Sequence, residues 1–454
     1  MDENFLLNTP VSRRLYHECA AELPIIDYHN HLCVADLAGG RKYENLAQLW
    51  VVSDPYKHRA MRICGVEEKY ITGGAADYEK YEAWMSTLPR LIGNPLYDWS
   101  VLEMKRIFDL ELDPETADAE RIWEDTCRKL AGPDYSAPAL LDRFHVEYAA
   151  PCASVAEELS GFLQFEHVAP SLRGDDMVNV TAEAIEKLSA AADMPVHNLE
   201  EYYAAIAERL QDFEEAGCKF ADHALDHGFR YYRDDGWNAR RFQDILRGME
   251  LPAEETGKLA SDILRFLSSS YAKQGWTMQL HIGAQRFTSS RLRSMAGPAG
   301  GFAGIGSCCD VGSLTEMLDD FEQGMNGLPD IVLYTLNPAD NAVMSVLSGS
   351  YSQDGRAGKV QQGPAWWWCD HLYGIREVLE NISSFGVLSV FIGMTTDSRS
   401  ILSFVRHEYF RRAFCGWLGE KVENGRITAS WETLKKLVED VCYDNARSRI
   451  RRTK

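Results

Sequence analysis

Residues 391–400 read FIGMTTDSRS, an apolar run that stops abruptly at Asp397 and Arg399. A short buried strand over 388–393 followed by an exposed turn accounts for the pattern. In an extended chain, residues two apart point the same way, so the carboxylate and the guanidinium would face one space. In a parallel barrel, the residues just beyond the strand ends form the mouth where chemistry is done. The plain alternative is a solvated ion pair on a surface turn.

Working outward from that stretch, seven further segments read as short strands: 23–26, 146–150, 166–169, 218–221, 278–282, 331–336 and 359–362. Helical patterns lie between them, at 199–216, 256–274 (Thr256 a candidate N-cap), 314–323 and 374–381. Eight strands with helical crossovers predict an α/β fold, a (β/α)8 TIM-like barrel. The span 35–138 carries helical periodicity, many Trp and Tyr, and turn signals at Gly73-Gly74, Gly93-Asn94-Pro95 and Gly132-Pro133. It is too long for one crossover and reads as a helical insertion after the first strand. The expected organisation is an N-terminal helix and first strand (1–34), the insertion (35–140) and the rest of the barrel (141–454). Thr9 and Pro10 suit the start of the first helix, and 431–447 an amphipathic last one.

The composition narrows the function classes. With 47 Lys and Arg against 68 Asp and Glu, the net charge of -21 disfavours a nucleic-acid or anionic-membrane surface. An anionic substrate would need a local basic pocket. Mean hydropathy of -0.30 and short apolar runs argue against a membrane-embedded chain. The opening MDENFLLNTPVSRRLYHE lacks a signal-peptide pattern, so a cytoplasmic location is expected. Eleven cysteines show no CxxC pair, and reduced thiols are the simpler expectation.

Polar residues recur where the candidate strands stop: His29 and His31, Arg173, Asp222 and His223, His281, Asn337, then Asp397 and Arg399. The HxH pair puts two imidazoles on one strand face. If the last strand returns beside the first, Asp397 completes a two-His, one-carboxylate site for zinc or another first-row divalent ion. Each member has a bland alternative. His281 could be a core histidine, Asp222 the N-cap of the next helix, and Arg173 a solvated loop residue. Trp366, Trp367 and Trp368 could be packing alone, or could wall a small-ligand pocket. Tyr56, in SDPYKHRAMR, reads by itself as a packing tyrosine.

The motifs PIIDYHNHL, DPYKHRAMR, NPLYDWSVLEMKRIF, GCKFADH, MQLHIGA, QQGPAWWW, GMTTDSRS and RHEYFRR together resemble the uronate isomerases of the amidohydrolase superfamily. The resemblance spans most of the chain. It implies a (β/α)8 barrel, homo-oligomerisation and reversible conversion of D-glucuronate to D-fructuronate, or of D-galacturonate to D-tagaturonate. It implies a divalent metal, usually zinc, at His29, His31 and Asp397, with Asp397 also the base that moves a proton from C2 to C1. Arg399, Arg173 and Tyr56 match substrate-binding positions, and His281 and Asp222 match positions tied to binding and ring opening. Pro55 and His58 depart from the common DHYKW motif, and APCASV at 150–155 replaces the common TTDDP, with the loss of two acids. A metal-dependent hydrolase on the same barrel is the runner-up, and a noncatalytic sugar-acid sensor a third class.

Overall fold

Six consecutive buried residues, Ile25–Asn30, form β1 of a computed structural model that describes residues 1–451. Parallel ladders join β1 in turn to β2 (Val146–Ser154), β3 (Ser171–Arg173), β4 (Phe220–Leu225) and β5 (Thr277–Ile282). A short antiparallel pair, β6 (Ala284–Gln285) and β7 (Gly304–Ile305), brackets an excursion. The main sheet then resumes with β8 (Asp330–Thr335) beside β5 and β9 (Val360–Gln362) beside β8. The result is a seven-stranded parallel sheet in the order β1-β2-β3-β4-β5-β8-β9. Its strands are buried, as expected where helices cover the sheet. Among the covering helices are Leu199–Glu215, Ala253–Gln274, Val311–Glu322, Asn341–Ser350, Leu372–Phe385 and Val405–Glu423.

Between β1 and β2, every regular element among the described residues is helical. Asp54 caps the helix Pro55–Ile63 by accepting from the Tyr56 and Lys57 amides at 2.9 and 3.3 Å. Pro55 fits there because the first helical position needs no N–H. No helix is long and apolar enough to cross a membrane among the described residues.

Four sequence expectations need correction. The stretch 388–393 is not a strand: Leu388–Val390 is a 3-10 turn, and Gly393 takes a left-handed φ of 81° that breaks the pleat. The segment nevertheless lies against β1. The Asp397 amide donates to the His29 carbonyl (3.0 Å), the His31 amide to the Ser398 carbonyl (2.9 Å), and the Tyr28 hydroxyl to the Gly393 carbonyl (2.8 Å). On its other side the Ile392 amide donates to Gln361 Oε1 of β9 at 2.8 Å. Side chains thus replace part of the missing ladder. Second, 166–169 makes only an isolated bridge, Ala149 to Val168, and the strand follows at β3. Third, Asp222 is not a helix cap but sits within β4. Fourth, the helix expected from Thr256 begins at Ala253, behind Pro252.

The late segment is gripped by one carboxylate. Asp27, fully buried in β1, accepts from the Thr396 amide (2.7 Å), the Thr396 hydroxyl (2.8 Å) and Asn30 Nδ2 (3.0 Å). Thr395 Oγ1 lies 2.8 Å and His407 Nε2 3.2 Å from it. Burial works to raise the Asp27 pKa, but His407 and Thr396 hold it below the usual carboxylate range.

Two stability measurements follow. Asp27→Ala should lower the unfolding free energy by about 3 kcal/mol or more, because several buried partners lose their acceptor together. A Cβ on Gly393 would stand 2.1 Å from the Val441 carbonyl oxygen. Gly393→Ala should therefore cost at least about 2 kcal/mol from clash and unfavourable φ. Denaturant titration that finds either variant within about 0.5 kcal/mol of wild type, the range of an ordinary surface substitution, would contradict the anchoring.

Candidate active site

The strand ends deliver their polar side chains to one cavity of about 420 Å³, lined by His29, His31, Tyr56, Arg173, His281, Trp366, Trp367, Asp397 and Arg399, together with Arg286 and the 298–303 loop. Asp397 is its centre. Its Oδ1 lies 3.3 Å from His29 Nε2 and 3.0 Å from His31 Nε2, and its Oδ2 accepts from Trp366 Nε1 at 2.9 Å. Asp397 is not in extended backbone, as the sequence suggested, but in the left-handed region at φ 47°, and Trp367 is there too at φ 51°. Such conformations in non-glycine residues cost free energy and persist where the surroundings enforce them. Here the enforcing contacts are the hydrogen bonds to β1.

The electrostatics follow from burial and pairing. Burial disfavours the Asp397 anion, but hydrogen bonds from His29 and His31 hold its carboxyl well below the usual range. Burial disfavours charge on His29 as well, yet Cys152 and Asp397 outweigh it and raise the imidazole well above its ordinary value. His281 is held down mainly by burial and stays a neutral imidazole. Donor atoms of His29, His31 and Cys152, and separately of His29, Asp222 and His281, lie within 4.8 Å of one another and could hold a metal ion, with Asp397 Oδ1 against both imidazoles of the first group.

Asp222 lies behind His281 rather than in the cavity wall. Parallel register pairs Asp222 with Gln279 and Ala224 with His281, which puts both side chains on the same sheet face. The Asp222 Oδ2 is 3.6 Å from His281 Nδ1 and 3.6 Å from Arg173 NH1. Arg173 also reaches Asp175 at 3.2 Å. His281 stacks on Trp366 with ring centroids 4.7 Å apart, and its Nε2 has no hydrogen-bond partner. The Tyr56 hydroxyl is likewise buried and unpartnered, and burial pushes its pKa up, so it stays a donor. Arg399 lines the cavity and makes no ion pair among the described residues. Besides Asp222, two of the polar strand-end residues do not join the cavity. His223 turns away to the Tyr271 hydroxyl (3.1 Å), and Asn337 is tied to the Gly306 carbonyl (3.0 Å).

Sequence reasoning missed three contributors. Asp27 stands two residues before His29, in step with the HxH pair, so strand alternation could have flagged it. Arg286, bonded to Asp226 at 2.9 Å, enters the cavity from the β6–β7 excursion, which carried no strand signal. Cys152 Sγ lies 3.5 Å from His29 Nδ1 and 3.4 Å from Asp222 Oδ1.

A parallel α/β sheet that gathers two imidazoles, a carboxylate and cations from strands far apart in sequence around one aromatic-walled cavity defines an enzyme with a metal-type centre. The glucuronate isomerase family model matches residues 1–449. The uronate isomerase of Vibrio vulnificus is 39% identical over 98% of this chain and 97% of its own length, and that of Bacillus licheniformis is 38% identical over 98% and 96%. The crystal structure of uronate isomerase from Thermotoga maritima superposes with a TM-score of 0.91 at 30% identity, covering 99% of each chain. The chain belongs to the glucuronate isomerase family.

His223 supplies a pH test of this packing. Burial depresses its pKa from 6.5 to about 4 in the folded chain. The fold therefore prefers the neutral ring, so its contribution is complete above about pH 6.5 and is lost as pH falls toward 4. The slope is about 1.4 kcal/mol per pH unit across that window. His223→Gln should flatten it, read as the difference between the two proteins' unfolding free energies at pH 7.5 and pH 5. Identical pH dependence in both would show that His223 is not buried neutral.

Proposed function

We propose that the chain is a uronate isomerase that interconverts D-glucuronate with D-fructuronate, D-galacturonate with D-tagaturonate, or both, by moving a proton from C2 to C1 through an enediol. The observation that carries this is that Asp397, held as an ionised carboxylate, and Arg399, a cation with no ion pair among the described residues, line one cavity. A fixed guanidinium suits a sugar carboxylate through bidentate contact. With the acid end held at Arg399, the reacting carbons lie toward Asp397. Of its two oxygens, Oδ1 is engaged by both imidazoles, which leaves Oδ2, bonded only to Trp366, to take and return the proton. Negative charge develops on the oxygens at C1 and C2 as the proton leaves. Arg173 and the Tyr56 hydroxyl are the donors placed to meet it, while the unpartnered His281 Nε2, its ring proton on Nδ1 toward Asp222, is an acceptor. His281, facing the cavity with Asp222 behind it, is the proton-transfer group for ring opening, and Asp222 orients it.

A divalent metal, zinc by its donor chemistry, fits at His29, His31 and Asp397. When bound it would supply positive charge for the substrate's oxygens. We take the curled sheet with its eighth segment as a closed (β/α)8 barrel, with 35–140 as a helical insertion and a cytoplasmic homo-oligomer as the working form. The hydrolase and sensor alternatives draw no support from the family match.

Incubation of the purified protein with each uronate in D2O should yield the ketose, with solvent deuterium at the migrated position. Unchanged sugar with no exchange would overturn the assignment. Asp397→Asn should lower kcat by about 10²–10⁴-fold, the span for loss of a general base, while its unfolding midpoint stays near wild type. Arg399→Met should raise KM by about 10- to 100-fold, as expected for a charge-assisted contact of about 1.5–3 kcal/mol. Unchanged constants in either variant would displace that residue from its role.

A further inference from the structure

We infer that Cys152 is a fourth protein ligand of the metal centre, so that the donor set is His29, His31, Asp397 and a thiolate. The inference rests on the metal reading of that cluster, not on the identity of the reaction. β2 pairs with β1 such that Pro151 stands opposite Asn30, which sets Cys152 beside the HxH pair. The donor atoms of His29, His31 and Cys152 all lie within 4.8 Å of one another. Cys152 Sγ is 4.0 Å from His29 Nε2, and Asp397 Oδ1 is 3.3 and 3.0 Å from the two imidazole nitrogens. Metal–nitrogen bonds of about 2.0 Å and metal–sulfur bonds of about 2.3 Å in a tetrahedron give donor-to-donor edges of about 3.3–3.6 Å. Three of those edges measure 4.0, 3.3 and 3.0 Å, and rotation about the Cys152 Cα–Cβ bond lets Sγ move by roughly the half ångström that the longest of them needs.

A second group, His29, Asp222 and His281, also brings three donors together. It is the poorer site, because the Arg173 guanidinium 3.6 Å from Asp222 already occupies the electrostatic place of a cation.

Ligation is a proton exchange with no redox change. The sulfur–metal bond forms, the S–H bond breaks, its proton leaves to bulk water, and the contact from Sγ to Asp222 Oδ1 is given up. Two anionic ligands then cancel the charge of a dication. A soft thiolate also favours zinc over magnesium or manganese. The ion in this chain would accordingly be held tightly and act weakly as a Lewis acid, organising the imidazoles and Asp397 more than polarising the sugar.

X-ray absorption on the zinc-loaded wild-type protein decides the point without any variant. One sulfur scatterer at about 2.3 Å is expected, and a shell of nitrogen and oxygen alone, or failure to retain one equivalent of zinc, would overturn the inference. In Cys152→Ser the sulfur shell should vanish and zinc affinity, measured by chelator competition, should fall by more than about tenfold, the lower end of what loss of even an outer partner costs. Cobalt reconstitution should show a sulfur-to-cobalt charge-transfer band in wild type that is absent in the variant. A sulfur shell that persists in Cys152→Ser would assign the ligand to another thiol and end the proposal. Isomerisation assayed on the same samples separates the two questions: a sulfur ligand without turnover removes the reaction and keeps the ligand, and turnover without a sulfur ligand does the reverse.

Discussion

A single buried carboxylate, Asp27, ties the first strand to the late segment that carries Asp397. It belongs to the first strand, yet its main partners are Thr395, Thr396 and His407, more than 360 residues later in the chain. An isolated anion at that depth would be untenable, since burial penalises charge unless hydrogen bonds satisfy it. The requirement works in both directions. The carboxylate needs the two threonines and the imidazole, and the late segment, which lacks a regular ladder, needs the carboxylate. Together with the backbone bonds from Asp397 to His29 and from His31 to Ser398, this exchange brings Asp397 to His29 and His31.

A second buried polar rail supports the other wall of the cavity. Arg406 is almost fully buried, is bonded to Asp370, and lies over the rings of Tyr56 and Trp99 at 5.4 and 4.5 Å. Tyr56 is thereby fixed by aromatic and cationic contacts rather than by a hydrogen bond to its hydroxyl, which stays available to the cavity. The 298–303 loop closes over the same region. A Cβ on Gly301 would fall 2.2 Å from the Pro55 carbonyl oxygen, so a glycine is needed where this loop meets the capped helix start. The insertion and the β6–β7 excursion therefore meet above the strand ends, and the Pro55 departure from the common motif is accommodated by the local helix geometry.

Much of this was legible in the sequence because the sheet's strands are short apolar runs that end in charged or hydrogen-bonding residues. His29, His31, Arg173, His281, Asp397 and Arg399 were found by that rule alone. The eighth segment was misjudged because its apolar content matches a strand, whereas its backbone is set by Gly393, the Tyr28 hydroxyl and Gln361, contacts that periodicity does not encode. For Asp222 the local pattern left a helix cap and a site residue equally open, and its position behind His281 depends on the β4–β5 register. Cys152 was passed over as part of a segment that had lost two acids. Its nearness to the imidazoles comes from a strand pairing that no local pattern reveals.

Asp397 presents a physical problem that the rest of the site resolves. A carboxyl held well below its ordinary pKa is a weak base, and each unit of lost basicity costs about 1.4 kcal/mol of driving force for taking a carbon-bound proton. The rate must then come from the other side of the transition state. In the proposed reaction the donors that would meet enediolate charge are the Arg173 guanidinium and the Tyr56 hydroxyl, which line one cavity with Trp366 and Trp367, so little reorganisation would be needed when the proton moves. The left-handed backbone at Asp397 serves the same end. The β1 contacts hold this strained backbone and so fix Oδ2 in the cavity, where in the proposed reaction proximity would substitute for base strength. A weak base held in one position also releases its proton readily, which a reversible transfer between neighbouring carbons requires in both directions.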